Sequence, residues 1–485
     1  MEKKLGRVVL NGRVIYSEGR TIISANPGMV IFSDGSSMNL ETNVVTNLSP
    51  DLRLYLDVLP ADFEMPKEPV PVVKTYVGKK LKVTGFEGKI LVMPKDSKEI
   101  EIPAHKNIHS SMKDDTVEVY WGEPESIWAN IPITSITGMR IEGGSISMVG
   151  NGNIFTSSIS IFSNTSFGHS VKDETIQTIF VPYGTQIVLN KCDEVEVGDV
   201  GGSVKIESGD ELKLTVGNVE WVDVDVTGEL SVTNKTGNVD FTIVTRDAVN
   251  LDLPSGCAGL KVSSTGVVTV KCKNGPITGN ISIDSRDEVD FQVQDCLGNV
   301  DIKSTGEMSL SFKNIVGKTK LIARDEVSFT FVTCTGAVDI ESTGECTING
   351  KTLNGDLDLE IRDAANMNIK TVKGNVKATS TSEMSAELET LNGNIDLGVR
   401  DEVGLSIGTL NGKIKIECTD ELHLTVLSGE VGSVELDVRD EANVKITTTI
   451  ASIKARITDD GTFRIKKCLG TKDITIRGDK DIEIG

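Results

Sequence analysis

Gly279-Asn-Ile-Ser-Ile-Asp-Ser-Arg-Asp-Glu-Val-Asp-Phe-Gln-Val-Gln-Asp-Cys-Leu297 is one unit of a cadence that fills the second half of this 485-residue chain. Its apolar residues are Ile281, Ile283, Val289, Phe291 and Val293, with Leu297 near the end. The next unit supplies Val300, Ile302, Met308, Leu310, Phe312 and Val316. Every second residue is apolar, and the apolar set is rich in β-branched types, which is the signature of strands. Each unit is therefore two short strands. One turn falls at Ser285-Arg-Asp-Glu288 and another around the glycine, where a residue without Cβ permits positive φ or close backbone approach.

The glycine returns at Gly298, Gly317, Gly336, Gly355, Gly374, Gly393 and Gly412, always after 19 residues. One extra residue precedes Gly432, after which the frame runs on through Ala451 to Gly470. A lone two-strand unit cannot bury its apolar face, so units must stack on their neighbours. Like strands stacked at about 4.8 Å satisfy each other's backbones. The predicted fold is all-β, a β-solenoid of stacked two-strand units with an aliphatic interior.

A longer period overlies the first. Alternate units carry Arg-Asp at the mid-unit turn, as in Arg286-Asp287, Arg324-Asp325, Arg362-Asp363 and Arg400-Asp401. The units between carry Thr-Gly or relatives, as in Thr305-Gly306, Thr343-Gly344, Thr381-Ser382 and Thr419-Asp420. Either 19 residues make one rung and the two turn types alternate up one edge, or 38 residues make a rung and the types run up opposite sides. Whether Arg286 neighbours Thr305 or Arg324 decides between them.

The stretches Gly298-Asn-Val-Asp-Ile-Lys-Ser-Thr-Gly-Glu307 and Gly336-Ala-Val-Asp-Ile-Glu-Ser-Thr-Gly-Glu345 resemble the adhesin-type β-strand repeat family of bacterial proteins, over roughly residues 198–485. That resemblance implies a β-solenoid more than it implies a role. The Arg-Asp/Thr-Gly alternation has no counterpart in the family's pattern.

The remaining sequence divides into smaller parts. Residues 1–58 read as a small N-terminal β module, with a hairpin signal at Asn11-Gly12. Residues 59–73, with Pro60, Pro66, Pro69 and Pro71, read as an extended linker. Residues 74–130 read as a second small β module, residues 131–197 as an irregular β transition or cap, and 198–485 as the repetitive solenoid. An N-terminal module can cover the open edge of the first rung. At the C-terminal edge Lys480, Asp481 and Glu483 guard the last rung, or a second subunit pairs with it as a homo-oligomer.

The net charge is −21, of which −19 lies beyond residue 130. A surface of that sign repels nucleic acid and anionic lipid, and no basic face is present to neutralise phosphates. No apolar run reaches the length of a membrane-spanning helix, and no secretory leader is evident. The expected setting is the cytoplasm or an assembled particle.

Candidate chemistry is sparse. Asp287, Glu288, Asp325, Glu326, Asp401 and Glu402 form a ladder of acidic turns. It reads as a calcium or glycan contact, or as a solvated edge in which each Arg offsets its Asp. The solvated edge is favoured, because the Gly-Gly-x-Gly-x-Asp calcium signature is missing. Trp121 and Trp128 are an aromatic contact or the core of a small module. His105 and His109 stand four apart outside any helical pattern, His169 is isolated, and His423 reads as an exposed strand residue. All eight cysteines lie beyond residue 191 without a Cys-x-x-Cys pair. Cys296, Cys334 and Cys468 share the eighteenth position and read as small apolar corner residues. No nucleophile elbow, phosphate loop or dinucleotide fingerprint is present. No catalytic residue, cofactor site or metal site is assigned.

The expected function is a non-enzymatic structural or binding protein, a rigid acidic β-solenoid that meets protein or glycan partners as a scaffold, an adhesin-like rod or a component of a phage-like assembly. One alternative is a β-helix glycan-cleaving enzyme using Asp193, Glu194 and Glu196. Another is a polymerising cytoskeletal solenoid.

Overall fold

The computed structural model describes the strands within residues 5–56 and 139–155, together with residues 73–121 except Lys106 and residues 176–485. Side chains are described in the last two stretches, Glu87 excepted. The chain forms two compact units, Met1–Val72 and Val73–Gly485.

In the first unit, β1 (Leu5–Leu10), β2 (Arg13–Glu18) and β7 (Arg53–Leu56) form one antiparallel sheet. Leu10 faces Arg13 on either side of Asn11-Gly12, the register of a two-residue hairpin. A second sheet holds β3 (Ile22–Asn26), β4 (Met29–Phe32), β5 (Ser37–Asn39) and β6 (Val45–Thr46).

The second unit is an all-β solenoid of about 16 turns with a period of about 19 residues. No helix occurs among the described residues. Strand β26 (Ile281–Ser285) pairs in parallel with β28 (Val300–Ser304), Ile281 opposite Val300. Strand β27 (Val289–Cys296) pairs with β29 (Met308–Val316), Val289 opposite Met308. Both offsets are one 19-residue unit, so one unit is one rung with a short-strand side and a long-strand side. Thr305 stacks on Arg286, and its hydroxyl donates to the Arg286 carbonyl. The two turn types therefore alternate up a single edge.

Alternation along the short strands is strict: Val300, Ile302 and Ser304 point in, while Asp301 and Lys303 point out. On the long side it shifts phase once. Met308, Leu310 and Phe312 are buried, then Ile315, three residues on. The chain bends there. The unit's last inward residue is thus the eighteenth, and the expected inward Leu297 and Val316 point out, 50% and 48% exposed, while Cys296 and Ile315 are buried. The alternation rule fails at that bend because a corner residue spends one position on turning instead of on one face.

The glycine column is a close-approach device. A Cβ on Gly298 would overlap the Gly279 carbonyl, and the same holds for Gly355 on Gly336 and Gly412 on Gly393. The extra residue before Gly432 is a bulge: Gly412 faces Val431, but Ile414 faces Val434.

The solenoid begins in space well before the cadence becomes legible. Strand β9 (Lys80–Pro94) pairs in parallel with β17 (Gln186–Val197) along both of its halves, and so forms a complete early rung. Beneath it lie β12 (Thr116–Trp121) and β16 (Ile176–Val181), both parallel to β9. Three further strands then reverse direction: β11 (Ile108–Lys113) against β12, β10 (Ile100–Pro103) against β16, and β8 (Val73–Tyr76) against β10. These strands cover the first rungs, so the described part of 74–130 shares the solenoid's sheet. Between them in sequence, β13 (Met139–Glu142), β14 (Ser145–Gly150) and β15 (Asn153–Phe155) form an antiparallel meander.

Candidate functional site

The mid-unit corner repeats the same chemistry along the stack. In the turns of Asp247, Asp287, Asp325 and Asp363 the carboxylate folds back on its own backbone: Asp287 Oδ1 accepts from the Glu288 amide at 3.0 Å, and Asp325 Oδ1 from Glu326 at 3.1 Å. The Thr-Gly rung above then seals the corner. Buried Ser304 donates to the Asp287 carbonyl at 2.5 Å, Ser342 to Asp325 at 2.7 Å and Ser380 to Asp363 at 2.6 Å. Thr305, Thr343 and Thr381 donate to the carbonyls of Arg286, Arg324 and Arg362. In the later Arg-Asp rungs the serine position is taken by Ala323, Ile361 and Val399, which have no hydroxyl to give, whereas Thr245 and Ser285 in earlier ones donate to the carbonyls of Gly228 and Gly266. A Cβ on Gly306 would sit 2.9 Å from the Glu288 amide, so the sealing turn needs glycine to lie this close. Between residues 304 and 399 this donor-acceptor pairing alternates with the 38-residue period.

The sequence-derived ladder Asp287, Glu288, Asp325, Glu326, Asp401 and Glu402 lies on this edge, but it names only the Arg-Asp rungs. The Thr-Gly rungs carry an acidic residue at the position of Glu288 as well. Glu288, Glu307, Glu326 and Glu345 stand on four successive rungs, and Glu383, Glu402, Glu421 and Glu441 resume after Ala364. The aspartates are two rungs apart in the lower stack, whereas the glutamates form a column on successive rungs, in two runs of four separated by Ala364. That column was hidden because the conspicuous Arg-Asp and Thr-Gly pairs draw attention one residue away from the position that both share.

Towards the C-terminal end the corner becomes more acidic, since Asp420 and Asp459 stand where glycine stands below. Asp440 is pushed above the ordinary aspartate range, chiefly by its hydrogen bond with Asp420 and then by burial and neighbouring carboxylates. Glu441 is raised by burial and by Glu421, Asp460 and Asp440. In the same region His423 on β40 (Leu422–Ser428) comes within 3.5 Å of Glu421 Oε2 and 3.9 Å of Glu402 Oε1. The sequence placed His423 on an exposed strand, which it occupies, but it did not bring these carboxylates to it.

Asp193, Glu194 and Glu196 fall on an irregular rung. Lys191 adopts a positive φ of 55°, and the pairing of β17 with β9 shifts between Cys192 and Glu194. Beside this bulge lies an open concavity of about 420 Å³, lined by Asp193, Asp210, Glu211, Lys213, Glu229 and Ser231 among others. Glu194 and Glu196 are tied into a lysine network. Lys89 lies 3.3 Å from Glu194 and 3.1 Å from Glu196, and Lys235 lies 2.7 Å from Glu196. Lys235 and Lys89 hold the Glu196 carboxyl below its usual range.

Trp121 is half-buried against the core, stacked on His105 at 5.1 Å and tilted against Phe86 at 4.5 Å. His105 Nδ1 accepts from the Asn107 amide. Trp128 and His169 lie outside the described residues. All eight cysteines are buried and free. Burial pushes the thiols of Cys192, Cys346 and Cys418 up to about 12 and that of Cys334 to about 11. Cys296 and Cys334 occupy the inward corner slot also filled by Ile315 and Leu353.

Among the described residues no helix is long and apolar enough to cross a membrane. Comparison with family models, with curated proteins and with solved structures found no match for this chain.

Proposed function

We propose that this protein is a non-enzymatic structural or binding protein, an acidic β-solenoid that serves as a stiff scaffold or adhesin-like rod in the cytoplasm or in an assembled particle. The observation that carries this reading is the corner column. Glutamates on successive rungs, in two runs of four at a single strand spacing, repeat one contact many times, which suits multivalent binding to a protein or glycan of matching repeat. The resemblance of residues 198–485 to the adhesin-type repeat family points the same way. Seals such as Ser342 on Asp325 tie a Thr-Gly rung to the Arg-Asp rung below it and favour stiffness.

The test is an in-frame deletion. Removing residues 355–392 takes out two rungs in frame and should shorten the particle by about 10 Å in electron micrographs, at about 4.8 Å per rung. It should also weaken a multivalent partner in proportion to the carboxylates lost. Turnover of a glycan by the purified protein, abolished by changing a single carboxylate, refutes the reading.

A second reading, a glycan-cleaving enzyme of the β-helix type, draws support from the concavity beside Asp193 and the strained Lys191. Backbone strain and carboxylates in one hollow are features that active sites collect. Against it stands Glu196. A general acid needs a raised pKa, and the lysines beside Glu196 lower its own.

A further inference from the structure

The upper end of the corner column breaks the rule that holds below it. Between Arg286 and Glu383 each acidic Arg-Asp turn alternates with a turn whose middle residue is uncharged, Gly306, Gly344 or Ser382. From Asp401 onward the intervening turn is acidic too, as Thr419-Asp420-Glu421. The rung that introduces this change also carries the only histidine between residues 176 and 485. His423 stands two residues beyond Glu421, on the outward face of β40, and its ladder neighbour on the rung below is Gly404. A Cβ at Gly404 would meet nothing nearer than 4.0 Å, so open space lies under the imidazole. Nε2 of His423 and one oxygen each of Glu402 and Glu421 all lie within 4.8 Å of one another.

We propose that Glu402, Glu421 and His423 bind a divalent transition cation of the zinc class and clamp two adjacent rungs. Tetrahedral bonds of about 2.0–2.2 Å place ligand atoms roughly 3.4 Å apart. The imidazole-to-carboxylate separations of 3.5 and 3.9 Å lie above that edge, and the two carboxylate oxygens lie within 4.8 Å of each other. The three side chains are about half exposed, so small rotamer changes close the gap. At these distances the imidazole makes no hydrogen bond that would itself explain the arrangement. Two glutamates on neighbouring rungs repel each other, and a dication between them reverses the sign of that interaction. The donor set also selects the metal. An imidazole with two carboxylates suits zinc, cobalt, nickel or copper, whereas calcium and magnesium prefer oxygen alone. Water takes the fourth position. The site stands on this geometry alone and does not depend on the scaffold reading.

The test titrates Co²⁺ into the untagged full-length protein and follows the visible d–d absorption that tetrahedral cobalt gives, then displaces it with Zn²⁺. A Zn²⁺-displaceable band is expected, and His423→Ala and Glu421→Gln should each weaken Co²⁺ binding by about tenfold or more, since even losing a residue that only hydrogen-bonds to a metal ligand costs about 10–100-fold. Two controls should bind as the parent does: His109→Ala, and Glu307→Gln from the lower column. No d–d band, a band that survives His423→Ala, or an equal loss in Glu307→Gln overturns the site, the last by revealing diffuse attraction to the acidic edge. Circular dichroism on each variant confirms that the sheet is intact, so a lost band reports the ligands and not the fold.

Discussion

Phe331 occupies the space that Gly350 leaves. The two face each other on adjacent rungs, and a Cβ on Gly350 would overlap the Phe331 ring. Phe331 is 3% exposed and packs 5.0 Å from Phe329, which in turn meets Phe312 edge-on at 6.2 Å. A large residue below a missing one keeps the interior volume constant while the rungs stay in register.

That complementarity has a measurable cost in both directions. Gly350→Ala forces the ring aside and should destabilise by about 1–3 kcal/mol. Phe331→Ala empties the site and should cost about 3–5 kcal/mol. The double variant should cost less than the sum, because each change relieves the other. Urea unfolding of the three variants checks this, and simple additivity would show that the two residues do not share one space.

The glycine corner tolerates less. Gly355→Ala drives a methyl into the Gly336 carbonyl, and backbone cannot move aside as a flexible side chain can. The expected loss is about 3 kcal/mol or more. Stability in a stack of repeats is local, so hydrogen exchange should quicken most in rungs 336–374 and little near residue 100. Uniform acceleration along the chain would contradict the nearest-neighbour picture.

The corner seal predicts a smaller local effect. Ser342 is 4% exposed, and its hydroxyl satisfies the Asp325 carbonyl. Ser342→Ala strands that carbonyl and should cost about 1–3 kcal/mol. The Ala323 position in the rung below has no such seal to lose, so Ala323→Gly should leave the corner hydrogen bonds intact, and a loss as large as that of Ser342→Ala would mean that packing, not the seal, sets the cost. Paired thermal melts of the two variants decide the matter.

Buried thiols should be chemically silent. With Cys192, Cys346 and Cys418 held near 12, almost no thiolate exists at neutral pH, and the thiolate is the reacting species. A disulfide reagent such as Ellman's should label the native protein far more slowly than the same protein in denaturant. Fast labelling of several cysteines in the native state would mean that the rungs open.

The solenoid was legible because Ile281, Ile283, Val289 and Phe291 alternate strictly and Gly279 returns on a fixed period. Two things were not. Rung size depends on which corner lies over which, and only the fold reveals that, in the register of Ile281 on Val300 and the hydrogen bond from Thr305 to Arg286. The early rung at Lys80–Pro94 has no cadence, since its partners at 116–121, 176–181 and 186–197 are remote in sequence, and parallel pairing at long range leaves no local signature. The Glu402–Glu421–His423 group was missed for the same reason: the residues are 19 and 21 positions apart, and only the fold makes them neighbours.

Glu196 offers the test with a defined sign. Its folded-state pKa is depressed, chiefly by Lys235 and then by Lys89. A carboxyl of that kind adds stability above its unfolded pKa, near the ordinary value of 4.5, and loses it as pH falls through the lower folded value. Glu196→Gln should therefore destabilise at pH 7 and converge with the parent as pH falls below the carboxylate range. The side chain is 24% exposed and Lys235 57%, so solvent screens the pair. The difference should be no more than about 0.5 kcal/mol and should shrink with added salt. Thermal melts from pH 7 to pH 3 at low and high salt would measure it. A variant that gains stability at pH 7 would instead mean that Glu196 resists ionisation, the behaviour a catalytic acid needs, and would move weight to the glycan-cleaving reading.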